Sequence, residues 1–357
     1  ETLSPDQLNF GAGGVDAIID GKLVPKMGLA EDMTATPNGA LFSKQKQGFL
    51  PEMMQSMYND RTIYKKKMLV AKQQYEDTKD PKYLKDVSRY NNIQMARKIS
   101  LNSAYGAIGN EWFRYYDLRI AEGITTSGQL SIRWIERRVN EYLNKILKTE
   151  SVDYVIASDT DSVYITFDKL VSGVFANRDD LSESEYTQKV VDFLDTVASQ
   201  KIEPFIDRSY QNLAEVMNAY DQKMQMKREV IADKGIWTAK KRYILNAWDV
   251  EGVRYKEPSL KIMGIEAVKS STPQIVRDKF KKAYSIVLRG NEQELQQFVK
   301  DFYEEFKSLP PEDVSFPRGV SEIDKWRDNN IIYKKGCPIH VRGSLMFNFK
   351  MKEVGLD

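Results

Sequence analysis

The run Tyr154-Val-Ile-Ala-Ser158-Asp159-Thr160-Asp161-Ser162-Val163-Tyr164-Ile165 sets two carboxylates at the tip of an expected β-hairpin, between segments rich in strand-favouring residues. A turn tip is open to solvent, and carboxylates spaced i, i+2 can converge on one hard cation. Asp, Ser and Thr are also ordinary turn residues that hydrogen-bond their own backbone, so the tip alone leaves metal binding and plain turn chemistry both open. A calcium loop of the EF-hand type does not fit. Leu170 stands where its closing Glu would be, and no Gly occupies its sixth position.

A second set of residues could meet such a metal from the other side. Arg61 and Lys65 are four apart, and Gln94, Lys98, Asn102 and Tyr105-Gly106 recur every three or four residues, so each group shares one face of an expected helix. A solvated charged face accounts for such stripes equally well. Facing the Asp159/Asp161 tip, however, they would bracket a triphosphate between cations and metal-bearing carboxylates. Magnesium favours one or two carboxylates plus phosphate oxygens, and two such ions can clamp attacking and leaving oxygens. Fixed Arg and Lys charges would stabilise the departing pyrophosphate. The chemistry implied is nucleotidyl transfer.

Composition narrows the choices further. A length of 357 residues exceeds the usual single domain, and 41% hydrophobic with 11% aromatic residues indicates a globular chain. No apolar run approaches a membrane span and no secretory signal is seen, so a soluble protein without a membrane partner is expected. The single cysteine, Cys337, excludes an internal disulfide and suits a reducing cytoplasm. The single histidine, His340, excludes His-rich metal sites and speaks against a Ser-His-Asp hydrolase. Net charge is only +2, yet Arg61, Lys65, Lys66 and Lys67 cluster, as do Lys240, Lys241 and Arg242, while acidic patches lie around 179–185 and 291–305. Local basic stripes on a nearly neutral chain suit polyanion contact at chosen places.

The elements that must position these residues can be outlined. The first fifty residues, with Gly11-Ala-Gly13-Gly14, read as loops and short strands, and no Lys-Ser/Thr follows to make a phosphate loop. A helix is expected over 51–77, ended at Thr78-Lys79-Asp80. A second opens with Asp80 as N-cap and Pro81 at the first position and runs to about Gly109, which makes an antiparallel hairpin. A further helix spans about 120–148 ahead of the Asp-Thr-Asp hairpin. Ser182 with Glu185 forms a capping box for a helix reaching about Phe205. Strands are expected over 237–248 and 253–265. Helices then begin at Thr272-Pro273, with Gly290 as stop, and at Asn291 with Glu294 as cap. The class is α+β with two helical lobes.

Three segments carry a resemblance. Lys98-Ile-Ser-Leu-Asn102-Ser103-Ala-Tyr105-Gly106 is similar to the fingers motif of family B DNA polymerases, Asp159-Thr160-Asp161-Ser162 to their motif C, and Lys240-Lys241-Arg242-Tyr243 to their primer-holding Lys-x-Tyr motif. The wording of Trp112-Phe-Arg-Tyr-Tyr-Asp-Leu-Arg119 and Glu251-Gly-Val-Arg-Tyr255 resembles the replicative polymerases of T-even-like phages within that family, and the resemblance covers essentially the whole chain. It implies a right-hand fold: a palm segment over 1–50, helical-hairpin fingers over 51–109, an antiparallel-sheet palm over 110–264 and a mostly helical partial thumb over 265–357.

It also implies roles. Asp161 would be a ligand of both catalytic magnesium ions, Asp159 would help form the metal site, and Thr160 would lie near the primer end. Arg61, Lys65 and Lys98 would bind the triphosphate, supported by Asn102, while Tyr105 and Gly106 would contact the nascent base pair. Glu229 matches an accessory palm carboxylate counted with the catalytic Asp159 and Asp161, and Glu251 matches another acidic palm position. Lys240, Lys241, Arg242 and Tyr243 would hold primer DNA. Ser158 stands where the family commonly has Gly and Ala104 where a larger aliphatic is common, which adjusts fit and removes no catalytic atom.

The resemblance leaves a gap as well. Glu1-Thr-Leu-Ser4-Pro5 resembles the stretch just after the family's motif A, and nothing later supplies that motif's metal-ligand Asp. The expectation is a DNA-directed DNA polymerase portion that is incompetent alone, complemented by an upstream chain bearing motif A and the exonuclease. Its partners would be primer-template DNA, deoxynucleoside triphosphates and, through a tail beyond Asp357, a sliding clamp, in the cytoplasm of a phage host. A primer-template binding module without catalysis is the alternative. A sugar-nucleotide transferase using Asp-x-Asp is opposed by the fingers stripe and the Lys-Lys-Arg-Tyr segment.

Overall fold

The computed structural model describes residues 13–176, 182–328 and 330–355. Two units emerge, one of Glu1–Asp233 with Ala247–Ser259 and the other of Lys234–Asn246 with Leu260–Asp357. Helix and antiparallel sheet occur together, as an α+β chain requires. Among the described residues no helix is long and apolar enough to cross a membrane.

The first unit opens with a short helix, α1 (Gly14–Ile19), which the glycine-rich sequence disguised as loop. Val15 and Ile18 are buried in the main core, so packing overrides the weak helix propensity of its glycines. A small hairpin follows, β1 (Met33–Ala35) with β2 (Leu41–Ser43). Then come α2 (Phe49–Thr78) and α3 (Lys82–Ile108), joined by a tight turn whose Lys79 has φ 54°. The Asp80 carboxylate accepts from the Lys82 amide at 2.9 Å, so it caps as expected, although Pro81 precedes the first helical residue instead of occupying it. At 1.5 Å per residue α2 is about 45 Å long. Of the pair, only Ala71 and Gln94 are buried.

Helix α4 (Leu118–Leu147), capped by Asp117, is the spine of the main core. Its Leu130, Trp134, Ile135, Val139 and Leu143 recur at helical spacing and pack with Tyr154 and Val155 of the next segment. That segment forms β3 (Val155–Asp159) and β4 (Ser162–Ile165), paired antiparallel. After α5 (Asp168–Val174), the Ser182/Glu185 capping box opens α6 (Glu183–Val197). The expected stop near Phe205 is not taken. A π-helical turn over Ala198–Ile202 carries the chain into α7 (Glu203–Val216), where Pro204 is tolerated in the first turn. Ile206, Tyr210 and Leu213 of α7 complete the core, and the Trp134 indole donates to the Ser209 carbonyl at 3.0 Å.

The strand-like stretch over 237–248 takes in the turn between two strands. β5 (Val230–Ala239) and β6 (Arg242–Val250) are separated by the turn at Lys240-Lys241, and β7 (Val253–Met263) completes a sheet of order β5-β6-β7. Tyr243 to Ala247 of the central strand are buried in succession, as a strand covered on both faces would be. In the second unit, α8 (Gln274–Arg289) follows Pro273 and stops at Gly290, and α9 (Glu292–Ser308) opens on the Asn291 cap. Ile244, Ile265 and Leu288 form one small core there, and Cys337, Val341 and Leu345 another. The remainder is less uniformly helical than expected: α10 (Pro311–Val314) and α11 (Ile323–Trp326) precede a two-residue ladder of β8 (Arg327–Asp328) with β9 (Ile332–Tyr333), and α12 (Ile339–Glu353) follows.

Candidate active site

Asp159 and Asp161 stand at the β3–β4 tip, with Asp159 paired to Ser162 and a two-residue loop between. Thr160 adopts φ 54°, a left-handed conformation that is costly for a β-branched residue, about 1–3 kcal/mol. The turn is held locally. The Asp161 amide donates to the Asp159 carbonyl at 2.6 Å, the Thr160 hydroxyl to the Asp159 carboxylate at 2.9 Å, and the Ser162 hydroxyl to the Asp159 carbonyl at 3.2 Å. Asp161 is exposed and Asp159 half-buried. A bulge at Ile156, between the paired Val155 and Ala157, breaks the strand alternation just before the tip.

Two asparagines of α4 anchor the base of this hairpin. The Asn140 side-chain oxygen accepts from the Tyr154 and Val155 amides at 2.9 and 3.0 Å, and its nitrogen donates to Asp153 at 2.7 Å. Asn144 accepts from the Val152 amide at 3.0 Å and donates to the Val152 carbonyl at 2.7 Å. Their only mark in the sequence is an i, i+4 spacing on a helix, which reads as ordinary polar surface. Behind the tip lies Tyr210 of α7. Burial pushes its phenol up to about 12, with the charges of Asp161 and Asp207 adding to the shift.

The α2–α3 hairpin presents its cations in different states. Arg97 pairs with Asp60 at 3.3 Å, which places their sequence neighbours Lys98 and Arg61 at one level of the hairpin. Among the described residues the Arg61 Nε, shut off from solvent, has no hydrogen-bond partner, a condition an anion would relieve. Lys65 is half-buried and bonded to Glu251 at 2.8 Å. Lys98, Asn102, Tyr105 and Gly106 are exposed along α3. Gln94, read as part of the same stripe, is instead buried, donating to Asn91 at 2.9 Å where the two helices meet.

Glu251 and Gly252 form the turn between β6 and β7 with φ 54° and 86°, the two positive values that a tight turn joining twisted strands demands. Beneath it Asp249, 1% exposed, accepts from the Gly252 amide at 2.9 Å and pairs with Arg254 at 3.0 Å and with Arg228. Asp195 also pairs with both arginines and Asp192 with Arg254. Glu229 is exposed just before β5, and its carbonyl accepts from the Glu251 amide. None of this network is signalled by sequence spacing.

The primer-motif residues belong to the second unit. Lys240 and Lys241 form the exposed β5–β6 turn, Lys241 with φ 61°. Arg242 pairs with Glu266, and Tyr243 is 7% exposed beside Trp237. Gly264 has φ 66°, and a Cβ built there would stand 2.1 Å from the Lys241 carbonyl oxygen, so only glycine lets the chain pass behind this turn.

For magnesium the tip supplies the right chemistry, hard carboxylate oxygens within reach of solvent. Among the described residues, however, no group of three or more His, Cys, Asp or Glu is close enough to hold a metal ion. The Glu1–Pro5 stretch that resembles the sequence after motif A lies outside the described residues.

A carboxylate hairpin packed on a helical spine, in a chain with a long cationic helical hairpin, invites comparison with nucleotide-polymerising proteins. The family model for DNA polymerase family B matches residues 15–176, and that for divergent family B DNA polymerases matches 145–299. The chain belongs to family B of the DNA polymerases. It is 37% identical to the DNA-directed DNA polymerase of Escherichia phage RB69 over 89% of its length, and 33% identical to that of Enterobacteria phage T4 over 92%. It spans 40% and 41% of those two relatives' own lengths. With DNA polymerase 1 of Pyrococcus abyssi it shares 26% identity over 77% of the chain and 28% of that relative.

Proposed function

We propose that this chain carries out the polymerising chemistry of a phage DNA-directed DNA polymerase, adding deoxynucleotides to a primer 3′ end as a template directs, in the cytoplasm of the phage host. The observation that carries the reading is the Asp159-Thr160-Asp161 tip: a strained left-handed Thr held between two carboxylates, on a hairpin clamped to α4, in a member of family B. Asp159 and Asp161 would hold magnesium, which when bound supplies charge neutralisation at the reacting phosphate and a more acidic primer hydroxyl.

The other roles fall to protein groups. Arg61, Lys65 and Lys98 bind the triphosphate and stabilise negative charge on the departing pyrophosphate, with Asn102 in support. Tyr105 and Gly106 line the nascent base pair, and Thr160 neighbours the primer end. Glu229 serves as an accessory carboxylate. Lys240, Lys241 and Arg242 hold the primer backbone, backed by Tyr243. In this reading α2 and α3 are the fingers, the β3–β4 hairpin and the β5-β6-β7 sheet belong to the palm, and α8 onward to the thumb of a right hand.

Two carboxylates are fewer than a two-ion clamp uses, and the described residues gather no third one beside them. We therefore assign the completing carboxylate to a polypeptide bearing motif A and the exonuclease, and contact with a sliding clamp to a further segment. The same shortfall favours, as second reading, a primer-template binding module without catalysis. Primer extension with magnesium and deoxynucleotides decides between them. Extension that requires the motif A polypeptide and is abolished in Asp161→Asn supports the first reading. Salt-sensitive duplex binding unchanged in Asp161→Asn, with no extension under any complementation, supports the second. Robust extension by these 357 residues alone would overturn the need for a partner.

A further inference from the structure

We propose that Glu251 is a placeholder for substrate phosphate, pairing with Lys65 while the nucleotide site is empty and yielding it when a triphosphate arrives. The inference rests on the reading of Lys65 as a triphosphate ligand. Lys65 and Glu251 meet at 2.8 Å with 29% and 25% of their side chains exposed, so the pair is partly withdrawn from water yet reachable by a competing anion. A carboxylate and a phosphate oxygen make the same demand on an ammonium group, a short charge-assisted hydrogen bond. Lys65 has three donors but one position, and a triphosphate drawing it away must displace the carboxylate or share it.

The placement of Glu251 has its own support. Residues in a left-handed conformation cost energy unless glycine, and Glu251 with φ 54° is held there by the Asp249 carboxylate beneath, which binds the Gly252 amide and two arginines. The same face of α2 is seated on this turn at two further points. Gln73 accepts from the Arg254 amide at 2.9 Å, and the Lys72 ammonium lies 5.6 Å from the Tyr255 ring centroid. Positions 65, 72 and 73 fall on one helical face, two turns apart. The turn therefore holds α2 by contacts that survive the exchange at Lys65, and only the ionic one competes with substrate.

The test is calorimetric titration of the full chain with deoxyadenosine triphosphate and magnesium, for wild type, Glu251→Gln, Lys65→Met and the double variant. The placeholder role requires Glu251→Gln to bind up to about fivefold more tightly, the reach of a half-exposed ion pair. Lys65→Met must bind more weakly, and adding Glu251→Gln to it must change nothing, because the competition has lost its object. If Lys65→Met binds as wild type does, or wild type does not bind, the triphosphate reading of Lys65 falls and the placeholder with it. If Lys65→Met weakens binding while Glu251→Gln leaves it unchanged or weakens it, the placeholder alone is overturned. Tightening by Glu251→Gln that persists in the Lys65→Met background also overturns it, since the cause would then be general charge.

Discussion

Asp249 is the residue whose loss tests the architecture of the site most directly. Its side chain is 2% exposed and bonds the guanidinium groups of Arg228 and Arg254, themselves 15% and 27% exposed, together with the Gly252 amide. Removing one partner of a buried charge network costs about 3–5 kcal/mol, because the remaining charges lose their compensation. Here Asp195 and Asp192 still serve the two arginines, which sets Asp249→Ala at the lower end, about 3 kcal/mol. Asp249→Asn keeps an oxygen for the Gly252 amide and loses only the charge, so it should cost about half as much, roughly 1.5 kcal/mol. Urea unfolding followed by circular dichroism measures both. For a unit of this size the alanine variant should melt about 6–12 °C lower. Loss of the turn also frees Lys65, so Asp249→Ala should bind deoxyadenosine triphosphate as Glu251→Gln does. An alanine variant that costs less than about 1 kcal/mol, or an asparagine variant equal to it, would refute the claim that this carboxylate holds the β6–β7 turn.

Asn140→Ala strands the Tyr154 and Val155 amides, so a cost of about 2–4 kcal/mol is expected in urea unfolding, with a larger loss of complemented primer extension than stability alone explains. Tyr210 stays protonated in the folded chain to about pH 12 while an exposed phenol ionises near 10.0, so stability is complete below 10 and is lost as pH rises through 12; Tyr210→Phe should flatten urea midpoints over that window. On the acid side the Lys82 amide and ammonium hold Asp80 below its ordinary 3.8, the Arg119 guanidinium does the same for Asp117, and the Ser182 hydroxyl holds Glu185 below 4.5. These depressed carboxylates stabilise above the ordinary range and lose that contribution as pH falls below it, so a chain with Asp80→Asn, Asp117→Asn and Glu185→Gln should show a shallower decline under pH 4.5. Gly264→Ala forces an L side chain into φ 66° and against the Lys241 carbonyl, at least about 1–2 kcal/mol, and duplex affinity measured by fluorescence anisotropy should fall while triphosphate binding holds.

The amino-acid sequence by itself determined what short-range chemistry decides. The β-branched and aromatic flanks of Asp159-Thr160-Asp161 are enough to set a hairpin with both carboxylates at its tip, and the three segments that resemble family B motifs named the class. Asp80, Ser182 with Glu185, and Asn291 with Glu294 cap helices by bonds that span at most three residues, so their positions were legible in advance. Tertiary structure decided everything that depends on which distant groups meet. Gly14–Ile19 is helical because Val15 and Ile18 find the core, and the chain runs on past Phe205 because Ile206, Tyr210 and Leu213 are wanted there. Gln94 looked like part of a substrate-facing stripe until the packing of α2 against α3 buried it. The clamp of Asn140 and Asn144, the charge network under Gly252 and the pairing of Lys65 with Glu251 join residues as much as 186 positions apart. Asparagines, arginines and acids are common on any helix face or strand end, and their partners are chosen by geometry that no local spacing records. The tip carboxylates could be read from the chain; what holds them in place, and the pairing of the Lys65 ammonium with Glu251, could not.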